Sequence, residues 1–335
     1  MIFLNTPFPV IICDDSNLAR KQMAHALDGW NVDITFAQHG AEALGAIRQG
    51  KGDLLFLDLN MPVMDGYQLL ELIQREDLPT MVIVVSGDIQ PDAYIRVKNM
   101  GAIDFIKKPI NTDNVTDILH RYGLLDALSA GEKPALLPSD TAIDLKSYYQ
   151  ELSNIAMGHA ADRLARLLKV FIQLPIPRVA LINIDELDMI LHHHSSEDQG
   201  AIVSQGFISS GIAGEVLLMF SESSIQDMAK LLRYEGDINV SSEKEILIDL
   251  ANVLSGAFLN SLAHQLDIIF SQNSPVILSF TDELTASNNT EQRWNKTLSI
   301  EISYRIEEHN ISCDLLLLFT EDSLDALNQR AQFFQ

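Results

Sequence analysis

Five polar residues sit just past apolar runs in the first third of the chain: Asp14 and Asp15, Asp58, Ser86 and Lys108. Three neighbouring carboxylates make a site for a hard, oxygen-seeking cation such as Mg²⁺. A lysine and a hydroxyl aimed at the same place suit the oxygens of a phosphoryl group. A carboxylate attacks a phosphorylated donor only when the charge repulsion is neutralised, and a metal with a lysine does that. The chemistry these residue types suggest is phosphoryl transfer to Asp58, which becomes an acyl phosphate.

Such a site needs a scaffold that brings distant positions together. Phe8 to Cys13, Val32 to Ala37, Leu54 to Leu57, Met81 to Val85 and Ile103 to Ile106 read as buried strands. Helical periodicity follows each of them, over Ser16 to Leu27, Ala41 to Arg48, Tyr67 to Gln74, Ala93 to Met100 and Asn111 to Tyr122. Wholly apolar strands alternating with helices predict a doubly wound (βα)5 parallel sheet covered on both faces, over residues 8–125. Ligands of such sheets gather at the carboxyl ends of the strands, where all five polar residues fall.

The set Asp14-Asp15, Asp58 within LDLNMPVMDG, Ser86 within VVSGD, and Lys108-Pro109 closely resembles the response-regulator receiver family. The resemblance implies that Asp58 is the phosphoacceptor. It implies Mg²⁺ held by Asp14, Asp15, Asp58 and the backbone carbonyl of Asn60, and Ser86 and Lys108 on the phosphoryl oxygens. It also makes Phe105 the aromatic switch, although the residue reads equally well as core. Lys108-Pro109 is a candidate cis bond. A sensor histidine kinase of the CheA-like kind is the implied phosphodonor.

Residues 126–143, which contain Gly131, Pro134, Pro138 and Ser139-Asp140, read as a linker. The remainder, 144–331, is duplicated as 144–234 and 242–331. Glu151, Asn154 and Gly158 recur at one constant offset as Asp249, Asn252 and Gly256. Val170-Phe171-Ile172 and Ile268-Ile269-Phe270 read as equivalent strands. Val216 to Phe220 recurs as Leu315 to Phe319, and Glu222 and Glu321 each open a helix. Half of such a unit cannot cover its own sheet, so an α+β domain with one shared sheet and pseudo-twofold symmetry is expected. Glu151 and Asn154, three apart, share a helical face. Leu152, Ile155, Leu164 and Leu167 form another, so the acid and the amide are expected to stand exposed, as are their duplicates.

The segments ELSNIAMGHAA at 151–161 and DLANVLSGAFL at 249–259 resemble the CheC, CheX and FliY family of chemotaxis phosphatases. The resemblance implies that Asn154 orients a water for in-line attack on an acyl phosphate, while Glu151 engages the receiver's lysine. Asp249 and Asn252 form the second such site, weakened because aspartate is one methylene shorter than the expected glutamate. The substrate would be a phosphorylated CheY-like receiver in trans or the chain's own Asp58. A phosphorylation-gated adaptor without catalysis and a simple phosphate sink are the competing readings.

A formal charge of −23 repels nucleic acid and anionic lipid. Two distant cysteines, Cys13 and Cys313, in apolar surroundings fit free thiols in a reducing cytoplasm. No signal peptide is read at the N-terminus, and no uninterrupted apolar stretch reads as long enough to cross a bilayer. His192, His193 and His194 read as loop residues rather than metal ligands, and Asp185, Glu186 and Asp188 as a solvated helix face. Oligomeric state is not legible.

Overall fold

The computed structural model describes residues 7–125, 128, 145–187, 189, 200–232, 240–278, 297–306, 309 and 311–333. Apart from Leu128, the predicted linker lies outside these residues, as do His192 to His194 and Asp188. The chain divides into two compact units, Met1–Glu151 and Leu152–Gln335.

In the first unit, β1 (Phe8–Cys13), β2 (Val32–Ala37), β3 (Leu54–Leu57), β4 (Met81–Ser86) and β5 (Asp104–Lys107) form a parallel sheet in the order β2-β1-β3-β4-β5. Helices α1 (Asn17–Ala26), α2 (Gly40–Arg48), α3 (Gly66–Arg75), α4 (Pro91–Asn99) and α5 (Thr112–Arg121) follow the strands in turn. The two-residue period of a strand sends alternate side chains to opposite faces. Ile11, Leu55, Leu57, Val82 and Val84 join one core, which takes in residues of α2, α3 and α4. Val10, Ile12, Leu54, Phe56, Ile83 and Val85 join the other, with residues of α1 and α5. Ser16 starts α1 by accepting the Ala19 N–H at 3.2 Å. Asp65 and Gln68 close a capping box at the start of α3.

Helix α6 (Leu145–Leu168) begins in the first unit and continues in the second. The second unit then carries β6 (Arg178–Ile182), β7 (Ala201–Ser209), β8 (Ile212–Phe220), α7 (Glu222–Leu231), α8 (Val240–Gln265), β9 (Ser271–Gln272), β10 (Val276–Leu278), β11 (Thr297–Ile306), β12 (Ile311–Phe319) and α9 (Ser323–Phe333). Its seven strands form one sheet ordered β10-β7-β8-β12-β11-β6, with β9 beside β7. The order reads the same in both directions once each copy is mapped on the other. Hairpin β7–β8 abuts hairpin β11–β12, while the single strand of each copy pairs with the hairpin of the sister: β6 with β11, β10 with β7. Ser224 accepts the Ser312 N–H at 3.0 Å, and its counterpart Ser323 accepts the Ala213 N–H at 2.8 Å. Neither copy completes its sheet without the other.

Two expectations need correction. Residues 170–172 and 268–270 are not strands. Lys169 and Asp267 take left-handed backbone angles (φ 58° and 52°) that turn the chain off each long helix. Ile172 and Phe270 then serve as buried plugs, and pairing starts only at Gln173, which bridges Arg305, and at β9. Leu167 is 41% exposed rather than buried. One helix segment, Ser241–Gln265, is long and apolar enough to cross a membrane by length and composition alone, and 61% of its most apolar window is buried inside the protein.

Candidate functional site

The carboxyl ends of β1, β3, β4 and β5 deliver Asp14, Asp58, Ser86 and Lys108 to one rim of the sheet. The Asp58 N–H donates to the Cys13 carbonyl at 2.9 Å, which levels β3 with β1. The Lys108 N–H donates to the Ser86 carbonyl at 3.0 Å, which ties β5 to β4. The Lys108-Pro109 bond is cis. Gly66 is required behind Asp58: a Cβ there would lie 2.4 Å from the Asp58 carbonyl oxygen.

Lys108 is buried, and its ammonium lies 2.8 Å from Asp14 Oδ2 and 3.2 Å from Asp58 Oδ1. Oxygens of Asp14, Asp15 and Asp58 lie within 4.8 Å of one another. Each carboxylate is oriented from behind. Asp14 Oδ1 accepts the Ser16 N–H at 2.9 Å, and Asp58 Oδ2 accepts the Asn60 N–H at 2.9 Å. Arg20 holds the carbonyls of Asp14 and Asp15 at 2.6 and 3.1 Å. Asp15 Oδ1 is buried with no hydrogen-bond partner among the described residues. That orphaned acceptor, with three converging carboxylates, fits a hard divalent cation. Receiver domains bind Mg²⁺ through such an aspartate cluster.

The charges perturb one another. Burial, then the charge of Asp58, raises the Asp15 carboxyl to about 7. Burial raises Asp14 well above the usual carboxylate range, against the pull of Lys108. Burial disfavours the Lys108 charge, but the carboxylates of Asp14, Asp58 and Glu151 outweigh it and raise the group well above its ordinary value. An aspartate raised from 3.8 to about 7 gives the fold a proton that the unfolded chain lacks between those values. Its contribution to stability is present at low pH and lost as pH rises towards 7. In metal-free buffer the melting temperature is therefore expected to fall between about pH 5 and about pH 7.5, and Mg²⁺ to cancel the fall by replacing the proton. A Mg²⁺-induced rise in melting temperature that does not grow with pH contradicts this.

Ser86 is fully buried, and its hydroxyl accepts the Asp88 N–H at 3.1 Å. Phe105 is half-buried, edge-on to Tyr94 with centroids 6.0 Å apart. The chain after Asp58 carries a feature not legible beforehand: Val63, 81% exposed, has φ 67°, which is unusual for a β-branched side chain.

The first unit also holds the opening turns of α6. Glu151 Oε1 lies 3.2 Å from Lys108 Nζ, and Gln150 Nε2 donates to Asp15 Oδ2 at 3.2 Å. The expected exposure of Glu151 and Asn154 is overturned. Glu151 is 3% and Asn154 5% exposed, and the Asn154 carbonyl oxygen has no hydrogen-bond partner among the described residues. The reason is that α6 is buried nearly all round from Glu151 to Gly158, so two apolar stripes do not describe it. Asp249 and Asn252 on α8 do stand exposed. A Cβ on Gly256 would meet nothing within 4 Å among the described residues, so packing against them does not demand that glycine.

A five-stranded parallel sheet with an acidic rim and a buried lysine is the architecture of a receiver. Residues 10–120 match the family model of the response regulator receiver domain, and this part of the chain is such a domain. The chain is 37% identical over 102 residues to protein-glutamate methylesterase/protein-glutamine glutaminase 3 of Geobacter sulfurreducens, covering 30% of this chain and 27% of that protein. It is 31% identical over 112 residues to the DNA-binding transcriptional regulator NtrC of Escherichia coli, covering 33% and 24%. It thus spans about a quarter of the length of these relatives. Among solved structures, FliY of Thermotoga maritima matches at 20% identity and TM-score 0.44, covering 60% of this chain and 100% of that one. A CheY-like receiver domain protein from Methanospirillum hungatei matches at 24% identity and TM-score 0.33, covering 36% and 95%. Receiver domains of two-component systems interact with histidine kinases and other phosphodonors.

Proposed function

We propose that this chain is a cytoplasmic response regulator phosphorylated on Asp58 by a CheA-like histidine kinase, whose second domain hydrolyses an aspartyl phosphate. The receiver would be residues 8–125, joined by 126–143 to a duplicated phosphatase domain, 144–331. Bound Mg²⁺ would neutralise phosphoryl charge, held by the carboxylates of Asp14, Asp15 and Asp58 and the Asn60 carbonyl. Asp58 attacks the donor phosphorus, and the donor's bond to it breaks. Lys108 and Ser86 take the phosphoryl oxygens, and Phe105 follows Ser86 as the switch. For hydrolysis, Asn154 holds a water in line. The water oxygen bonds to phosphorus, the bond to Asp58 breaks, and inorganic phosphate leaves with the Asp58 carboxylate restored.

The observation that supports the reading most is the 3.2 Å approach of Glu151 to Lys108. The acid that begins the helix motif meets the lysine that serves the phosphoacceptor. The Asn154 carbonyl, without a hydrogen-bond partner among the described residues, supports the water role, because such a buried amide oxygen is an acceptor for a water O–H. Asp249 and Asn252 form the secondary site.

The test is phosphate release from the full-length chain labelled by acetyl phosphate, and from a prelabelled CheY-like receiver added to it. Loss slowed by Asn154→Ala in either arm supports catalysis. Equal loss in both arms contradicts it; binding without turnover then indicates the adaptor, and no interaction the sink.

A further inference from the structure

The contact made by Gln150 is not explained by the helix motif. Gln150 precedes Glu151, and the two neighbours engage opposite poles of the receiver site. The amide N–H of Gln150 donates to Asp15 Oδ2, and the carboxylate of Glu151 accepts from Lys108. Donor meets acid and acceptor meets ammonium, and the reverse assignment would set the Glu151 carboxylate against that of Asp15. Both contacts fall within the compact unit Met1–Glu151.

We propose that Gln150 is a positioning residue for Asp15, and that Gln150 and Glu151 together commit this helix to its own receiver, so that the substrate of the hydrolysis proposed above is the chain's own Asp58 acyl phosphate. The proposal rests on that reading for its chemistry, but the clamp itself does not.

Two physical arguments carry it. First, Asp15 is gripped through Oδ2, while Oδ1 is buried with no hydrogen-bond partner among the described residues. A hydrogen bond that fixes one oxygen of a carboxylate and leaves the other for the ion is how an outer partner orients a metal ligand. Second, any receiver with an acidic pair and a lysine offers the same two poles, so chemistry alone does not select among them. Covalent attachment does. A tethered partner acts at an effective concentration on the order of millimolar, well above that of a dilute separate receiver.

The first arm of the test uses the metal alone. Calorimetric titration of the full chain with Mg²⁺ is expected to show about tenfold weaker binding in Gln150→Ala. The Mg²⁺ concentration for half-maximal labelling by acetyl phosphate should rise with it, while the labelling rate at saturating Mg²⁺ holds. Unchanged Mg²⁺ affinity in a normally folded variant overturns the positioning role.

The second arm asks whose phosphate is lost. Decay of the labelled chain should be independent of its concentration. An excess of Asp58→Asn chain, with its helix intact, should not speed decay of labelled Asn154→Ala chain. Acceleration there overturns the cis assignment. Equal decay of wild type and Asn154→Ala, by contrast, removes the phosphatase reading and leaves the Mg²⁺ result to judge Gln150.

Discussion

Asn154→Ala is expected to lengthen the lifetime of the acyl phosphate on the full-length chain by about a hundredfold. An acyl phosphate needs little covalent assistance, so a phosphatase acts on it mainly by holding a water in line. Removing one well-placed polar group from a preorganised site costs roughly a hundredfold or more in rate. Asn154 fits that role because its amide is buried, its carbonyl oxygen is unpaired among the described residues, and it lies one helical turn beyond Glu151. Asn154→Asp should not rescue, since it loses the N–H donor and adds a negative charge to an already acidic site. Asn252→Ala should change the lifetime less, because Asn252 and its partner Asp249 are exposed. The check is the decay of radiolabel after donor removal, with folding monitored by circular dichroism. A lifetime within twofold of the parent contradicts the assignment.

The second large effect concerns Lys108. Its ammonium faces Asp14, Asp58 and Glu151, and all four side chains are buried. Removing the cation from a buried group of charges is far worse than never having placed the charges, because the remaining ions are left unpaired in low dielectric. Lys108→Ala is therefore expected to lose about 3–5 kcal/mol in metal-free buffer. Much of that should return with Mg²⁺, which supplies a replacement cation to the same carboxylates. Labelling at saturating Mg²⁺ should still be slower by on the order of a hundredfold, since the phosphoryl oxygens lose a fixed positive contact. Urea unfolding with and without Mg²⁺ tests the first part, and initial rates with acetyl phosphate test the second. A variant as stable as the parent without metal refutes this account of the charge balance.

The receiver was legible because its signals are local. β1, β2 and β3 match the expected bounds, since an unbroken apolar run between polar turns has few other ways to be buried. In the structure Ser16, Asp65 and Asn111 cap the starts of α1, α3 and α5 by accepting backbone N–H groups. The acidic rim followed from strand ends alone. Elsewhere the controlling facts are non-local. That Val170 to Ile172 is a turn and plug depends on what Ile172 packs against. The exchange of β6 and β10 between copies is a pairing choice that no repeat pattern specifies. Gln150 carries no local signal at all, being one polar residue at the start of a long helix. The burial of Glu151 and Asn154 was missed because helical periodicity reports a face and not what lies against it.

The proposed phosphoacceptor is Asp58, in the pocket formed with Asp14, Asp15, Ser86 and Lys108. The most direct test is to label the full chain with acetyl phosphate and Mg²⁺, trap the acyl phosphate by borohydride reduction, and map the modified residue by mass spectrometry. A single Mg²⁺-dependent modification at Asp58, absent from Asp58→Asn, is expected. Modification at another residue, or undiminished labelling of Asp58→Asn, would contradict it.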